Sequence, residues 1–196
     1  LGLTWNLLIG IPGEKAEDYE EMTALIPKIV HFQPPTGAFP IMFQRYSRYL
    51  EAPEDYGLEL EPEEMNRYIY GDNDDRVENL CMYYRLTGGA FSDERERMHP
   101  LYDRLYTAVY EWKRIASSGE KRALEAAETE AGLLLIDSRP CMVRPFMLLT
   151  GLKRAVFDAC DEAKTERQLL GALRDIAPEA EILAAAEELT ALNVIA

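Results

Sequence analysis

The chain has 196 residues, 47% of them hydrophobic, which is enough for a packed core in one medium domain or two small ones. Its 21 Lys and Arg against 35 Asp and Glu leave a net charge of −14, which opposes nucleic acid or any other polyphosphate as a partner. No run approaches the roughly 20 apolar residues of a spanning helix and no signal-peptide pattern occurs, so no membrane partner and a cytoplasmic location are expected. Cys81, Cys141 and Cys160 are odd in number and far apart, which fits reduced thiols and matches no metal-site spacing.

The first element is an apolar run, Trp5-Asn6-Leu7-Leu8-Ile9, ended abruptly by Gly10-Ile11-Pro12-Gly13-Glu14. It reads as a buried strand followed by a tight turn. Met22, Leu25, Ile26, Ile29 and Val30 then recur at helical spacing, with acidic residues at the first turn, where the helix dipole favours them. Pro34-Pro35-Thr36-Gly37 stops the helix, and residues 38–46 read as a second strand. Strand, helix, strand in that order implies a parallel crossover.

Residues 51–64 are polar and proline-marked and read as loop with short ordered pieces. Tyr68-Ile69-Tyr70 and the segment 80–86 bracket the acidic run 71–75, which lacks the spaced glycine and distal Glu of a calcium loop. A long helix is expected from Pro100 to about Ser117, with Leu101, Leu105, Ala108, Val109 and Trp112 on one face. Residues 122–126 and 133–137 read as a hairpin, although the first half also suits a helix.

The last fifty residues contain three short helices. One carries Leu152, Val156, Phe157 and Cys160, one is capped by Thr165, and one begins at Pro178. Asn193-Val194-Ile195-Ala196 then looks like a strand just starting. This is the outline of a winged helix, whose usual partner is DNA. The third helix, however, carries Glu179, Glu181, Glu187 and Glu188 and no Lys or Arg, so a structural or protein-binding role is favoured.

The glycine turn after the first strand could cradle a phosphate, but it has neither the Gly-Lys-Ser/Thr of a P-loop nor three spaced dinucleotide glycines. Glu14 at the helix entrance further opposes an anion, while a neutral or cationic adenosyl ligand would be tolerated. The same glycines equally serve a plain βα connection. His31 and His99 stand in no nucleophile motif and read as structural. No residue is marked as catalytic.

The string Asn6 to Glu14, the following Asp18-Tyr19, the Pro34-Pro35-Thr36-Gly37 turn, Gln44-Arg45-Tyr46-Ser47-Arg48-Tyr49 and Tyr83-Tyr84 together resemble the C-terminal part of a cobalamin-binding radical SAM protein. Within that group it is most similar to the radical SAM C-methyltransferases of ribosomal peptide maturation. Relatives of that kind are often labelled magnesium-protoporphyrin IX monomethyl ester oxidative cyclases. The likeness covers residues 4–90 and continues more weakly through Asp137-Ser138-Arg139 to the end.

The resemblance implies an α/β fold, α+β overall. Residues 1–90 would form late strands of a partial TIM-type radical SAM barrel, 91–140 a helix and hairpin connector, and 141–196 a mostly helical, winged-helix-like domain. It further implies that Asn6, Leu8, Gly10, Ile11, Gly13 and Glu14 lie against the adenosyl part of S-adenosylmethionine, with Glu14 alternatively fixing the turn. Arg45 would hold a ligand or substrate carboxylate, or else pair with a local acid; Tyr46, Ser47 and Tyr49 would line a substrate cavity, or else pack.

The chain has no Cys-x-x-x-Cys-x-x-Cys loop for a [4Fe–4S] cluster and no cobalamin domain. Together with the missing initiator Met, this leads us to expect a fragment, inactive alone, whose partner is the N-terminal part of the same polypeptide. The implied reaction of the parent is reductive cleavage of S-adenosylmethionine, hydrogen abstraction from an unactivated carbon and methyl transfer from cobalamin. The alternative is a non-catalytic module that binds a protein or a leader peptide.

Overall fold

The computed structural model describes residues 4–71, 74–120 and 122–195. It is an α+β protein with three small sheets, divided into two compact units: residues 1–24 with 35–111, and residues 25–34 with 112–196. No helix among the described residues is long and apolar enough to cross a membrane. The acidic excess lies in the first unit, with 21 Asp and Glu against 9 Lys and Arg; the second has 14 against 12.

In the first unit, β1 (Leu7–Ile9) pairs in parallel with β2 (Ala38–Pro40), in the register Leu7 to Ala38 and Ile9 to Pro40. The two are joined through α1 (Ala16–Ile29), so the expected parallel crossover is present. The strand expected over 38–46 is broken: Ile41 N–H makes the last bond to β1, to the Ile9 carbonyl at 2.9 Å, and β3 (Phe43–Gln44) then pairs with a different partner, β5 (Tyr83–Gly88).

The polar stretch read as loop holds α2 (Arg48–Glu51), a 3-10 turn (Pro53–Tyr56) and β4 (Glu59–Pro62), which flanks β5 in the sheet order β3-β5-β4. Before β5 come α3 (Met65–Tyr70) and α4 (Asp74–Leu80); Asp72 and Asn73 of the acidic run lie outside the described residues. A small core of Phe43, Leu58 and Phe91 packs under this sheet.

The long helix α5 is Ala90–Ser117, ten residues longer at its start than the proline suggested, with Pro100 inside it. Proline removes one helical hydrogen bond, and its exposed position leaves the freed carbonyl to water. Leu105, Val109 and Trp112 form the expected buried stripe.

The second unit is a three-stranded antiparallel sheet, β6 (Leu124–Thr129), β7 (Gly132–Asp137) and β8 (Phe146–Leu149), followed by α6 (Gly151–Ala159), α7 (Glu166–Leu173) and α8 (Glu179–Ala191). The hairpin thus belongs with the helices rather than to a separate connector. Leu133, Leu135, Met147 and Leu149 on one sheet face pack with Val156, Leu169, Leu173, Ile182 and Leu189. Thr165 caps α7 in a full capping box with Gln168, as its sequence position suggests.

No strand starts after α8 among the described residues. Asn193 takes a left-handed conformation (φ 58°), and Val194 N–H and Asn193 N–H donate back to Leu189 and Thr190 carbonyls at 3.1 and 2.9 Å. This closes the helix as a Schellman motif and tucks Val194 into the core.

A buried ion pair ties this unit together. Arg139 and Asp137 are 4% and 2% exposed and meet through two parallel contacts, Nε to Oδ1 at 3.0 Å and Nη2 to Oδ2 at 2.8 Å. Arg139 also donates to the carbonyls of Lys28 (2.9 Å) and Asn193 (2.6 Å), and so joins the end of β7 to the ends of α1 and α8. Burial opposes ionisation of both groups, but their mutual hydrogen bonds hold the Asp137 carboxyl below the usual carboxylate range and Arg139 above its own.

Replacing Arg139 by Met leaves Asp137 buried without its partner. We expect a loss of about 3–5 kcal/mol in urea unfolding. Because folding depresses the Asp137 pKa, the stabilisation it brings is present above the ordinary carboxylate range and is lost as pH falls through the folded value. Acid should therefore weaken the parent chain more steeply than Asp137→Asn; parallel pH profiles would contradict this.

Candidate functional site

The C-terminal end of β1 is the best-built polar site of the first unit. Gly10 has φ +70°, a conformation open mainly to glycine, and begins the turn into α1. Glu14 accepts the Ile11 N–H at 2.8 Å and a hydrogen bond from the Tyr19 hydroxyl through the same oxygen. Tyr19, fully buried on the first turns of α1, in turn accepts the Gly10 N–H at 2.8 Å. One carboxylate and one phenol thus satisfy two backbone donors that the turn would otherwise leave without partners.

Burial and then the Glu14 hydrogen bond push the Tyr19 phenol far above its ordinary pKa, so it stays a neutral donor. Tyr102 from α5 packs edge-on against it, with ring centroids 5.0 Å apart, and burial raises its pKa too. Around this network the surface is apolar and open. Leu8 is 52% and Phe39 44% exposed, and Asn6 and Gly13 are exposed as well. The expected burial of the strand is therefore met at Ile9 but not at Leu8, and among the described residues β1 has a single strand partner, β2.

The structure separates the residues that the sequence grouped together. Glu14 is engaged within its own turn, so of its two readings the turn-fixing one matches the geometry. Arg45 lies apart: its guanidinium donates to the carbonyls of Glu78 (2.8 Å) and Asn79 at the end of α4. A helix C-terminus presents unbonded carbonyls with partial negative charge, and the cation settles there instead of on a carboxylate. Tyr46, Ser47 and Tyr49 each meet different surroundings. Tyr46 is 80% exposed at φ 66°, Ser47 closes a turn onto the Gln44 carbonyl at 2.6 Å, and Tyr49 packs edge-on against Phe43 and Tyr56. A two-residue β3 followed by a left-handed residue scatters these side chains.

Tyr19, Tyr102 and Arg95, whose Nε lies 3.5 Å from where a Cβ on Gly10 would sit, are the residues at the strand end that pattern reading missed. Tyr19 stands five positions after Glu14, so a buried acceptor for the turn was legible there. Tyr102 and Arg95 were not, because they reach the strand end only through the folding of α5.

The second unit has a cleft of about 830 Å³ beside His31, Phe32, Phe157, Lys164 and Ile195. Two of its polar side chains are used internally: Arg139 on Asp137 and carbonyls, and Asn193 Nδ2 on the Cys141 carbonyl at 2.9 Å. His31 Nδ1 is buried without a partner, and burial with nearby Arg139 lowers its pKa, in keeping with a neutral packing histidine. Among the described residues no group of three or more His, Cys, Asp or Glu is placed to hold a metal ion.

Tyr19→Phe removes the acceptor of the Gly10 N–H and the donor to Glu14. We expect a loss of about 1–3 kcal/mol and faster amide exchange at Gly10 and Ile11, while unchanged protection would contradict the network.

No protein-family model, curated protein or solved structure matches the chain. Function must be read from the site itself.

Proposed function

We propose that this chain is the late part of a cobalamin-binding radical SAM enzyme, a methyltransferase or cyclase-type enzyme acting at an unactivated carbon of a peptide or other organic substrate. In this reading the β1 strand end is the surface that faces the adenosyl group, the first unit is part of a TIM-type barrel, and the second is winged-helix-like. The observation that carries it is the unfinished sheet of β1 and β2. Parallel strands are almost always covered on both faces, and a two-stranded sheet is marginal alone, yet here Leu8 and Phe39 stand half open. Further strands of a larger barrel would complete it.

The residues at the strand end suit an adenosyl ligand. Leu8 and Ile11 offer an apolar surface, while Gly10 itself is buried against Arg95 and Tyr102. Glu14 is better suited to hold the turn than to touch the ligand. Bound S-adenosylmethionine, with a [4Fe–4S] cluster and cobalamin held by the N-terminal part of the polypeptide, would supply the radical and methyl-transfer chemistry. This chain's share is to orient the adenosyl group and exclude water. A cytoplasmic setting fits such chemistry. The coding sequence upstream of the Leu1 codon should encode a Cys-x-x-x-Cys-x-x-Cys motif; a stop codon or an unrelated domain there would refute the reading.

A second reading, a protein- or leader-peptide-binding module, is favoured by one observation in the second unit. The outer sheet face is apolar: Phe146 opposite Ile136 and Leu148 opposite Leu134, with Phe146 65% and Leu148 49% exposed on the edge strand β8. An extended peptide adding to β8 would cover them. A leader-like peptide should bind the chain, and Phe146→Lys with Leu148→Lys should weaken it at least tenfold. Tight binding of duplex DNA at physiological salt would instead reverse the protein-binding assignment.

A further inference from the structure

Arg95 is the anomaly of the first unit. It is half-buried on α5, and its Nε lies 3.5 Å from where a Cβ on Gly10 would sit, with the Tyr102 hydroxyl 3.8 Å from the same point. Among the described residues it makes no hydrogen bond and no ion pair. The positions three and four away along the helix are Phe91, Ser92, Met98 and His99, so no helical acid partner is offered.

In a unit with more than two acids for every base, Arg85 pairs with Glu61 at 3.0 Å and Arg104 with Glu20 at 4.0 Å. Among the described residues Arg97, two residues on, has no such partner either, but it is exposed to water, whereas Arg95 is half-buried. A guanidinium does not shed its proton, so partial burial without a partner carries a desolvation cost that a bound anion would offset.

Arg95 also lines a cleft of about 320 Å³ with Pro40, Ile41, Met42, Tyr84 and Leu86, at the C-terminal end of β2. The space suits a small molecule, and the walls are largely apolar. Glu63 lines the same cleft, Arg85 is already engaged, and Glu14 at the neighbouring strand end adds a negative charge that is hydrogen-bonded to the Ile11 N–H and the Tyr19 hydroxyl, which together disfavour a dianion such as phosphate. A single carboxylate matches the planar fork of one arginine.

We propose that Arg95 is the carboxylate-binding residue of a ligand site at the C-terminal ends of β1 and β2, and that the site takes a small ligand with an apolar body and one carboxylate. The inference rests on the strand end being a ligand site, and not on the ligand being adenosyl.

The test titrates the full chain and Arg95→Gln with hexanoate, S-adenosylhomocysteine, 5′-methylthioadenosine and inorganic phosphate, followed by amide NMR shifts around Gly10 and Ile41. Circular dichroism confirms the fold of each variant. Hexanoate and S-adenosylhomocysteine should bind the parent chain and weaken at least tenfold in Arg95→Gln, with partial recovery in Arg95→Lys. Methylthioadenosine has no carboxylate and should bind both proteins alike. Hexanoate binding that depends on Arg95, with no adenosyl compound bound, upholds the carboxylate site and removes the adenosyl reading. Equal binding of both adenosyl compounds to both proteins, with hexanoate silent, does the reverse. Tighter phosphate than hexanoate binding, or no binding of any probe, overturns the proposal.

Discussion

The geometry of the first unit depends on one carboxylate. Glu14 ties the Ile11 N–H to the Tyr19 hydroxyl, and Tyr19 takes the Gly10 N–H, so the strand exit, the glycine turn and the first turns of α1 form one hydrogen-bonded body. A turn held this way needs no ligand to order it. The Gly10, Ile11 and Glu14 N–H groups are already spent, so an incoming molecule meets a largely preformed surface. That argues against a phosphate cradle more directly than the missing lysine of a P-loop does, because phosphate sites work through free backbone donors.

The two units handle charge in different ways. In the second, Arg139 and Asp137 are buried together with each guanidinium nitrogen directed to an acceptor, and the pair joins the ends of three elements. Such a pair contributes to defining one arrangement as much as to net stability, since desolvation consumes much of its attraction. In the first, acids dominate and most arginines take an acid or a helix end, as Arg85 and Arg45 do. Arg95 departs from that pattern at the point where two parallel strands end, and parallel sheets generally bind ligands at that end of their strands.

The surfaces left uncovered are as informative as the cores. Leu8 and Phe39 at the parallel pair and Phe146 and Leu148 on β8 are apolar side chains in regular strands, exposed where a strand normally finds a neighbour. In the proposed readings, the first is part of a larger sheet and the second an edge for peptide addition. An enzyme that acts on a peptide would use both, which is why the two functional readings are compatible.

Much of the local structure was legible in the residues themselves. The apolar run ended by Gly10-Ile11-Pro12-Gly13, the acidic first turn of α1, the hairpin around Gly132 and the Thr165 capping box each follow from interactions within a few residues, and local rules govern those. Other features were set at a distance. Pro100 marked a helix start by local rules, but packing of Phe91 and Met98 carries α5 back to Ala90. Arg45 looked like a ligand group until α4 brought two bare carbonyls to it, and Arg95 looked like one more surface charge until α5 laid it against Gly10. Sequence by itself determined the elements and the glycine turn. Only the tertiary structure decided which cations were spent and which was left facing the strand ends, because the partners of a long charged side chain come from whatever the fold places within its reach.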